Sequence, residues 1–190
     1  MKTHPIENLK ELISYDLAAG VMFWKERTPV MFDNGKRSSE HKCNNWNSRY
    51  AGTRAFNVPS RGYLVGYVNK VRFFSHRVIW ALHAGQWPQQ FIDHINHDGR
   101  DNRIANLREA SHQQNMSNSK SRKNSTSNFV GVSWDGQRDK WSAQISADGD
   151  HTHLGRFGSE HDAAKAYDIA ALRLYGKYAN PNFPMPEGKL

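Results

Sequence analysis

An α+β protein built on small cores, not one large core, is expected from three features of this chain. Short runs alternate apolar and polar residues with the period of a strand, as at Tyr63, Val65 and Tyr67 and again at Trp141, Ala143 and Ile145. Separate from them stand helical patterns, above all an Ala-rich run from Glu160 to Tyr175. Hydrophobic residues make up 37% of the 190, and the mean hydropathy is −0.82, which is little apolar material for a single large core.

The elements follow in order. Apolar residues at 9, 12, 13 and 17 make a helical stripe from Leu9 to Leu17. The segment from Tyr15-Asp16 to Gly20 turns the chain into a strand from Val21 to Trp24. Residues 28–60 are polar, with Gly, Asn, Ser and scattered Lys and Arg, and show no element pattern. Gly62 to Ser75 reads as a hairpin about Asn69-Lys70, with Val71 and Phe73 alternating after the turn. Ser75 is placed to cap a helix from His76 to Ala84, which Gly85 ends. Its apolar face is Val78, Ile79 and Leu82, with Trp80 beside them. Residues 117–127 (SNSKSRKNSTS) have the composition of a linker. Strands are expected at 130–134, 140–146 and 153–157, the last two separated by an Asp148-Gly149-Asp150 turn. The helix from Glu160 to Tyr175 follows, and Gly176 stops it. Its alanines (Ala163, Ala164, Ala166, Ala170, Ala171) let it lie close on the three strands.

The stretch from Phe91 to Asn118, FIDHINHDGRDNRIANLREASHQQNMSN, concentrates metal-ligand and acid-base side chains. Phe91 to Ile95 suits a strand and Asn96 to Asp101 a turn. Asp101 can cap a helical turn through Ala105, and Leu107 to Ala110 is a second short strand. Ser111 with Gln114 three residues later forms a capping box for a helix running to about Lys120. Asp93 and His94 are strand neighbours, so a bend or a strand edge is needed for them to serve one site. His112 and Asn115 are three apart and share a helical face. Asp93 supplies a charged oxygen and Asn115 a neutral one, a donor set for Mg²⁺ or Mn²⁺ with water and phosphate completing it. His94 is a candidate base for an attacking water. Asn106 is a candidate to accept from its imidazole and hold the tautomer.

Charge narrows the function classes. Net charge is +8 and the isoelectric point about 9.7, which points to a polyanionic partner. Residues 1–92 hold 13 Lys and Arg against 6 Asp and Glu, whereas residues 128–190 hold 7 against 8, so the basic footprint lies in the first half. Lys36, Arg37, Lys42, Arg49 and Arg54 interleave with Trp46 and Tyr50. Two readings of that region stand: a surface that follows phosphates and stacks on bases, or a solvated loop whose aromatics pack on the domain. Arg77 is a further candidate phosphate contact, with a structural role as the alternative. Lys120, Arg122 and Lys123 are candidates within the linker. One cysteine, Cys43, excludes an internal disulfide, and His41 beside it does not make a zinc site. No apolar run reaches spanning length and the N-terminus lacks a signal-peptide core, so a soluble, cytoplasmic protein is expected.

DHINHDGRDNRIANLREASHQQN resembles the HNH endonucleases of the subgroup found among phage homing enzymes. YDLAAGVMFW resembles the opening of their N-terminal region, and His76-Arg77 matches their His-Arg ahead of the motif. The resemblance implies a ββα-metal (His-Me finger) nuclease core. Position by position, it makes Asp93 and Asn115 the ligands of one Mg²⁺ or Mn²⁺, His94 the general base and Asn106 the residue that orients it. The family's basic residue near the leaving group falls at His112, with Arg108 as the alternative donor. Expected products are a 5′-phosphate and a 3′-hydroxyl, one strand nicked per site.

From residue 128 onward, GVSW, KWSAQI, HLGRFGSEHDAAKAYDIAALRLYG and the final NFP resemble the AP2 DNA-binding domain, a three-stranded sheet laid in the major groove. The matching groove-facing positions are Ser133, Arg138, Lys140, Gln144, Ser146, His151, His153 and Arg156. Many are small or neutral and the unit is net acidic, which argues against strong base-specific readout. Trp134 and Trp141 have two readings, groove contact or core, with core the better one for Trp141.

The expected organisation is a basic N-terminal β-rich region (1–70), a nuclease core (71–120), a linker (121–127) and the AP2-like domain (128–190). The expected function is a metal-dependent endonuclease acting on double-stranded DNA, phage-encoded, monomeric or a weak dimer, with no cofactor beyond the metal and no membrane. The alternative is a non-catalytic AP2-type DNA-binding protein. RNA binding ranks last, for want of a usual RNA-recognition motif.

Overall fold

The apolar stripe at the N-terminus is shared between two elements. In the computed structural model, which describes residues 4–118, 125–147 and 149–184, helix α1 spans Ile6–Leu12 and strand β1 spans Ile13–Asp16. The helix expected to reach Leu17 stops at Leu12. The Ile13 N–H still bonds to Leu9, but its backbone is extended at φ −135° and ψ 133°. β1 pairs antiparallel with β2 (Val21–Trp24), Ile13 opposite Trp24 and Asp16 opposite Val21. Leu9 and Ile13 are both buried, so either conformation satisfies their apolar side chains, and the hairpin decides between them.

The chain divides into two compact units, Met1–Glu109 and Ala110–Leu190. In the first, β1, β2 and β3 (Arg54–Ala55) form one sheet. Between β2 and β3, in the polar region read as a phosphate-following surface or a solvated loop, stands α2 (Ser39–Tyr50). Ser38 caps it through its side-chain oxygen to His41 N. The helix is held less by an apolar stripe than by polar anchors. Cys43 Sγ and Asn47 Nδ2 both bond to Arg27 O, at 3.0 and 2.9 Å, and the Arg27 guanidinium lies 3.8 Å from the Trp46 ring centroid. Hydrophobic periodicity could not reveal it.

A second sheet joins β4 (Val58–Ser60), β5 (Tyr63–Val68) and β6 (Val71–Phe74). The expected Asn69-Lys70 turn is present, with both residues left-handed at φ 49° and 65°, as a two-residue hairpin of this hand requires. α3 (Ser75–Ala84) follows at once, its N-cap being Phe74, not Ser75, and Gly85 closes it at φ 71°. β7 (Phe91–His94) and β8 (Leu107–Ala110) make a two-stranded sheet, with a single 3-10 turn at Ile104–Asn106 before β8. One hydrophobic cluster runs from Ile6 and Leu9 through Val68, Phe73 and Ile79 to Ile92 and Leu107. It takes residues from both sides of the boundary expected at 70/71, and the β5–β6 hairpin crosses that boundary.

In the second unit, α4 (His112–Ser117) carries the expected capping box: Ser111 Oγ accepts from Gln114 N at 3.2 Å and Gln114 Oε1 accepts from Ser111 N at 2.8 Å. The helix ends at Ser117; the expected end near Lys120 lies outside the described residues. β9 (Val132–Asp135), β10 (Lys140–Ala147) and β11 (Asp150–Phe157) form an antiparallel sheet with β10 central and a bulge at Ala143/Gln144. Asp148 of the expected turn is also outside the described residues. α5 (Glu160–Tyr175) packs on the sheet through Ala163 and Ala164, which meet Val132 and Ala143 in a core with Trp141 at its edge. The buried Asp168 accepts from the backbone N–H groups of Asn182 and Phe183 and fastens the NFP segment to the helix. No helix among the described residues is long and apolar enough to cross a membrane.

Candidate active site

β7 carries Asp93 and His94, both buried, at 5% and 6% exposure. Adjacent strand positions face opposite ways, and the two side chains accordingly have different neighbours. Asp93 Oδ2 accepts from Arg108 Nε on β8 at 2.8 Å and lies 2.8 Å from Arg108 Nη2. His94 Nε2 lies 3.2 Å from Asn102 Oδ1. On another side of the imidazole the Tyr63 and His76 rings pack at 5.9 and 5.0 Å between centroids.

Asn102 is therefore a hydrogen-bond partner of His94, whereas the family pattern assigned that role to Asn106. Asn106 is committed to the loop instead. Its Oδ1 accepts from Asn96 N at 3.0 Å, and its Nδ2 donates to Asn96 Oδ1 at 2.9 Å and to Asp101 O at 2.8 Å. Asn96 Nδ2 in turn donates to Asp101 Oδ2 at 2.7 Å, and His97 takes a left-handed φ of 62°. Asp101 also caps Arg103, accepting from its N–H and its guanidinium, which holds the carboxyl down at about 2. These bonds close the loop from 96 to 106 and turn Asn102 inward.

The loop is keyed to the N-terminal hairpin as well. Ile104 N donates to Leu17 O, and Gly20, at φ 68°, passes so close that a Cβ there would sit 2.3 Å from Arg103 N and 2.4 Å from the Asn102 carbonyl carbon. Only glycine permits that approach.

Electrostatics suit a base. Burial pushes the His94 imidazole below its ordinary value, partly offset by the Asn102 hydrogen bond and by the Asp93, Asp101 and Asp98 carboxylates. The Asn102 carboxamide and His94 Nε2 share a hydrogen bond whose direction follows the imidazole tautomer. Asn102 Nδ2 is buried without a hydrogen-bond partner.

Family comparison comes down on the same segments. A family model described as HNH endonuclease matches residues 73–117, and one described as AP2 domain matches residues 127–177. The chain joins an HNH segment to an AP2 domain. An uncharacterised HNH endonuclease of Acanthamoeba polyphaga mimivirus is 33% identical over 124 residues, 64% of this chain and 63% of that protein. Protein 3.8 of Escherichia phage T7 is 33% identical over 75 residues, 39% of this chain and 62% of that protein. An AP2-like ethylene-responsive transcription factor of Arabidopsis thaliana is 38% identical over 53 residues, 28% of this chain and 17% of that protein. The chain thus spans a little under two thirds of the two viral proteins it matches. These matches support a nuclease and, through the AP2 segment, DNA binding.

The remaining HNH positions are His112 and Asn115, exposed and half-buried on α4, which belongs to the second unit. Among the described residues no group of three or more His, Cys, Asp or Glu side chains forms a metal cluster. Carboxylate and carboxamide oxygens, as Asp93 and Asn115 carry, are the hard donors that Mg²⁺ and Mn²⁺ take.

In the AP2 unit, alternation and register put Lys140, Ser142, Gln144 and Ser146 of β10 on one face with Ser133, Asp135, His151, His153 and Arg156 of the neighbouring strands. Ala143 and Ile145 face the other way and are buried. Arg138 and Arg156 both pair with Asp135, at 3.2 and 2.8 Å. Sequence reading missed that acid, which competes with phosphate for both arginines. In the HNH unit, Lys36, Arg37, Arg49 and Arg54 are exposed. Arg77 instead donates to Gln90 O and Pro88 O, tying α3 to the segment that leads into β7. Lys120, Arg122 and Lys123 lie outside the described residues.

Proposed function

We propose that the protein is a metal-dependent endonuclease of double-stranded DNA, of the homing type, that nicks one strand per active site. The observation that supports this reading is the buried His94–Asn102 hydrogen bond, which holds the imidazole in one orientation, together with burial that favours its neutral form. In the reaction, His94 takes a proton from water as the water oxygen bonds to phosphorus. The bond from phosphorus to the 3′ oxygen breaks, and that oxygen leaves as an alcohol, protonated by His112 or by solvent. The products are a 5′-phosphate and a 3′-hydroxyl. Asp93 and Asn115 would hold one Mg²⁺ or Mn²⁺, which when bound supplies charge stabilisation to the phosphoryl group and the departing oxygen. The AP2 domain and the basic first half hold the duplex.

A second reading, a DNA-binding protein without catalysis, is favoured by one observation: the Asp93 carboxylate is engaged by Arg108. A supercoiled-plasmid assay separates the two, using wild type, His94→Ala and Asp93→Ala with Mg²⁺, with Mn²⁺ and with EDTA. Metal-dependent nicked circle from wild type, lost in both variants while DNA binding persists, is the expected result. Nicking by His94→Ala at the wild-type rate removes His94 from the mechanism.

A further inference from the structure

The outer face of the β4–β5–β6 sheet has no part in the chemistry above, yet it begins at His94. The Tyr63 ring lies 5.9 Å from that imidazole and 5.7 Å from Phe74, and the Arg72 guanidinium stands 5.4 Å from the Phe74 centroid. A continuous line of ring and cation contacts therefore leads from the candidate base out across the sheet. Register confirms that these side chains share one face. Phe74 is opposite Val65, Arg72 is opposite Tyr67, and Tyr63, Val65 and Tyr67 alternate along β5. The opposite face, with Val68 and Phe73, belongs to the core.

This face is not surface of the ordinary kind. Tyr63, Tyr67 and Phe74 are 39%, 56% and 37% exposed about the buried Val65, and several exposed rings on one face mark an interaction site where a single ring would not. Arg72 is held in place: its Nη2 donates to Ser60 Oγ at 2.6 Å while the guanidinium stands over Phe74. The stretch of sequence that carries this sheet is basic. Between Glu40 and Asp93 the chain has no acidic residue, but it has seven basic ones: Lys42, Arg49, Arg54, Arg61, Lys70, Arg72 and Arg77. Rings beside a fixed guanidinium, on a basic stretch of chain, suit a polyphosphate strand better than a protein partner.

We propose that this face is the docking track for the sugar–phosphate backbone of the DNA strand to be cut, delivering its phosphate to His94. Arg72 takes a phosphate with its planar fork, and Tyr67 and Phe74 pack against deoxyribose. From Tyr63 to Tyr67 the strand advances roughly 13 Å, about four base-pair rises of DNA, so the track covers several nucleotides. The direction of delivery rests on the nuclease reading; the binding does not.

The test uses the full chain in EDTA, with a fluorescein-labelled random-sequence duplex followed by anisotropy across a salt series. Arg72→Gln is expected to weaken binding about tenfold and to reduce the slope of log affinity against log salt by roughly 0.9, one phosphate contact. Arg72→Lys should restore the slope but not the full affinity, since it keeps the charge and loses the fork. Tyr67→Ala should weaken binding roughly fivefold with the slope unchanged, because ring contacts release no counterion. Ile169→Ala, exposed on α5, serves as a control with no change. Wild-type affinity and slope in both Arg72→Gln and Tyr67→Ala overturn the track, and the nuclease reading survives if those variants still nick plasmid. Altered slopes in a protein that never nicks sustain the track and sink the nuclease reading.

Discussion

Asn102 Oδ1 sits 3.2 Å from His94 Nε2, with both side chains buried, while Asn106 spends its carboxamide on Asn96 and Asp101. The two asparagines should therefore fail differently. Asn102→Ala is expected to slow plasmid nicking by about 10–100-fold, the range typical of residues that orient a site, with duplex affinity unchanged. Asn106→Ala should instead lower thermal stability by about 1–3 kcal/mol through the loop groups it leaves unpaired. Wild-type nicking by Asn102→Ala, with loss in a folded Asn106→Ala, would return the orienting role to Asn106.

Gly20 extends this dependence to the N-terminal hairpin. Alanine there must move backbone at Asn102 and Arg103 and also adopt φ 68°. Such a substitution destabilises by more than about 1 kcal/mol, and here the displaced atoms carry the His94 partner. Gly20→Ala should lower the melting temperature and cut nicking about tenfold while duplex binding holds. Calorimetry and the plasmid assay, run on one preparation, check it; a melting shift without any rate loss would deny the coupling.

Arg108 pairs with the buried Asp93 carboxylate, so its loss removes that opposing charge. Breaking a buried pair costs about 3–5 kcal/mol. Arg108→Met should melt well below wild type in EDTA and recover part of the loss when Mn²⁺ is added, since a bound cation stabilises by mass action. Equal melting in EDTA and Mn²⁺ would count against Asp93 as a ligand.

His76 should shape the acid limb of stability. Burial, then the charges of His94 and Arg77, push its imidazole down to about 3 from the ordinary 6.5. Between those values the unfolded chain binds a proton that the folded protein refuses, so this term lowers stability as pH falls below 6.5 and saturates near 3. It vanishes above 6.5, where both states are neutral. His76→Phe should therefore narrow the gap in melting temperature between about pH 8 and about pH 5. An unchanged gap would place the acid sensitivity elsewhere.

Legibility in this chain followed the range of the interaction. The Ser111–Gln114 capping box, the Asn69-Lys70 turn and the Gly85 stop were readable because both partners of each lie within a few residues. α5 was readable because its alanines repeat at helical spacing. α2 was not, because Cys43, Asn47 and Trp46 hold it through Arg27, which lies far back in the chain. Ile13 was read as helix because its spacing from Leu9 fits; only its pairing with Trp24 shows the strand.

By itself, the sequence determined the HNH segment with Asp93 and His94, the AP2 domain, and the positive charge of the first half, since residue types and short spacings specify these. The tertiary structure alone decided which asparagine meets His94, that Arg108 holds Asp93, that Asp135 holds Arg138 and Arg156, and that Tyr63, Phe74 and Arg72 continue outward from the site. Each of those is a contact between side chains aimed by loops and strand register, and a carboxamide or guanidinium is the same letter whichever way the backbone turns it.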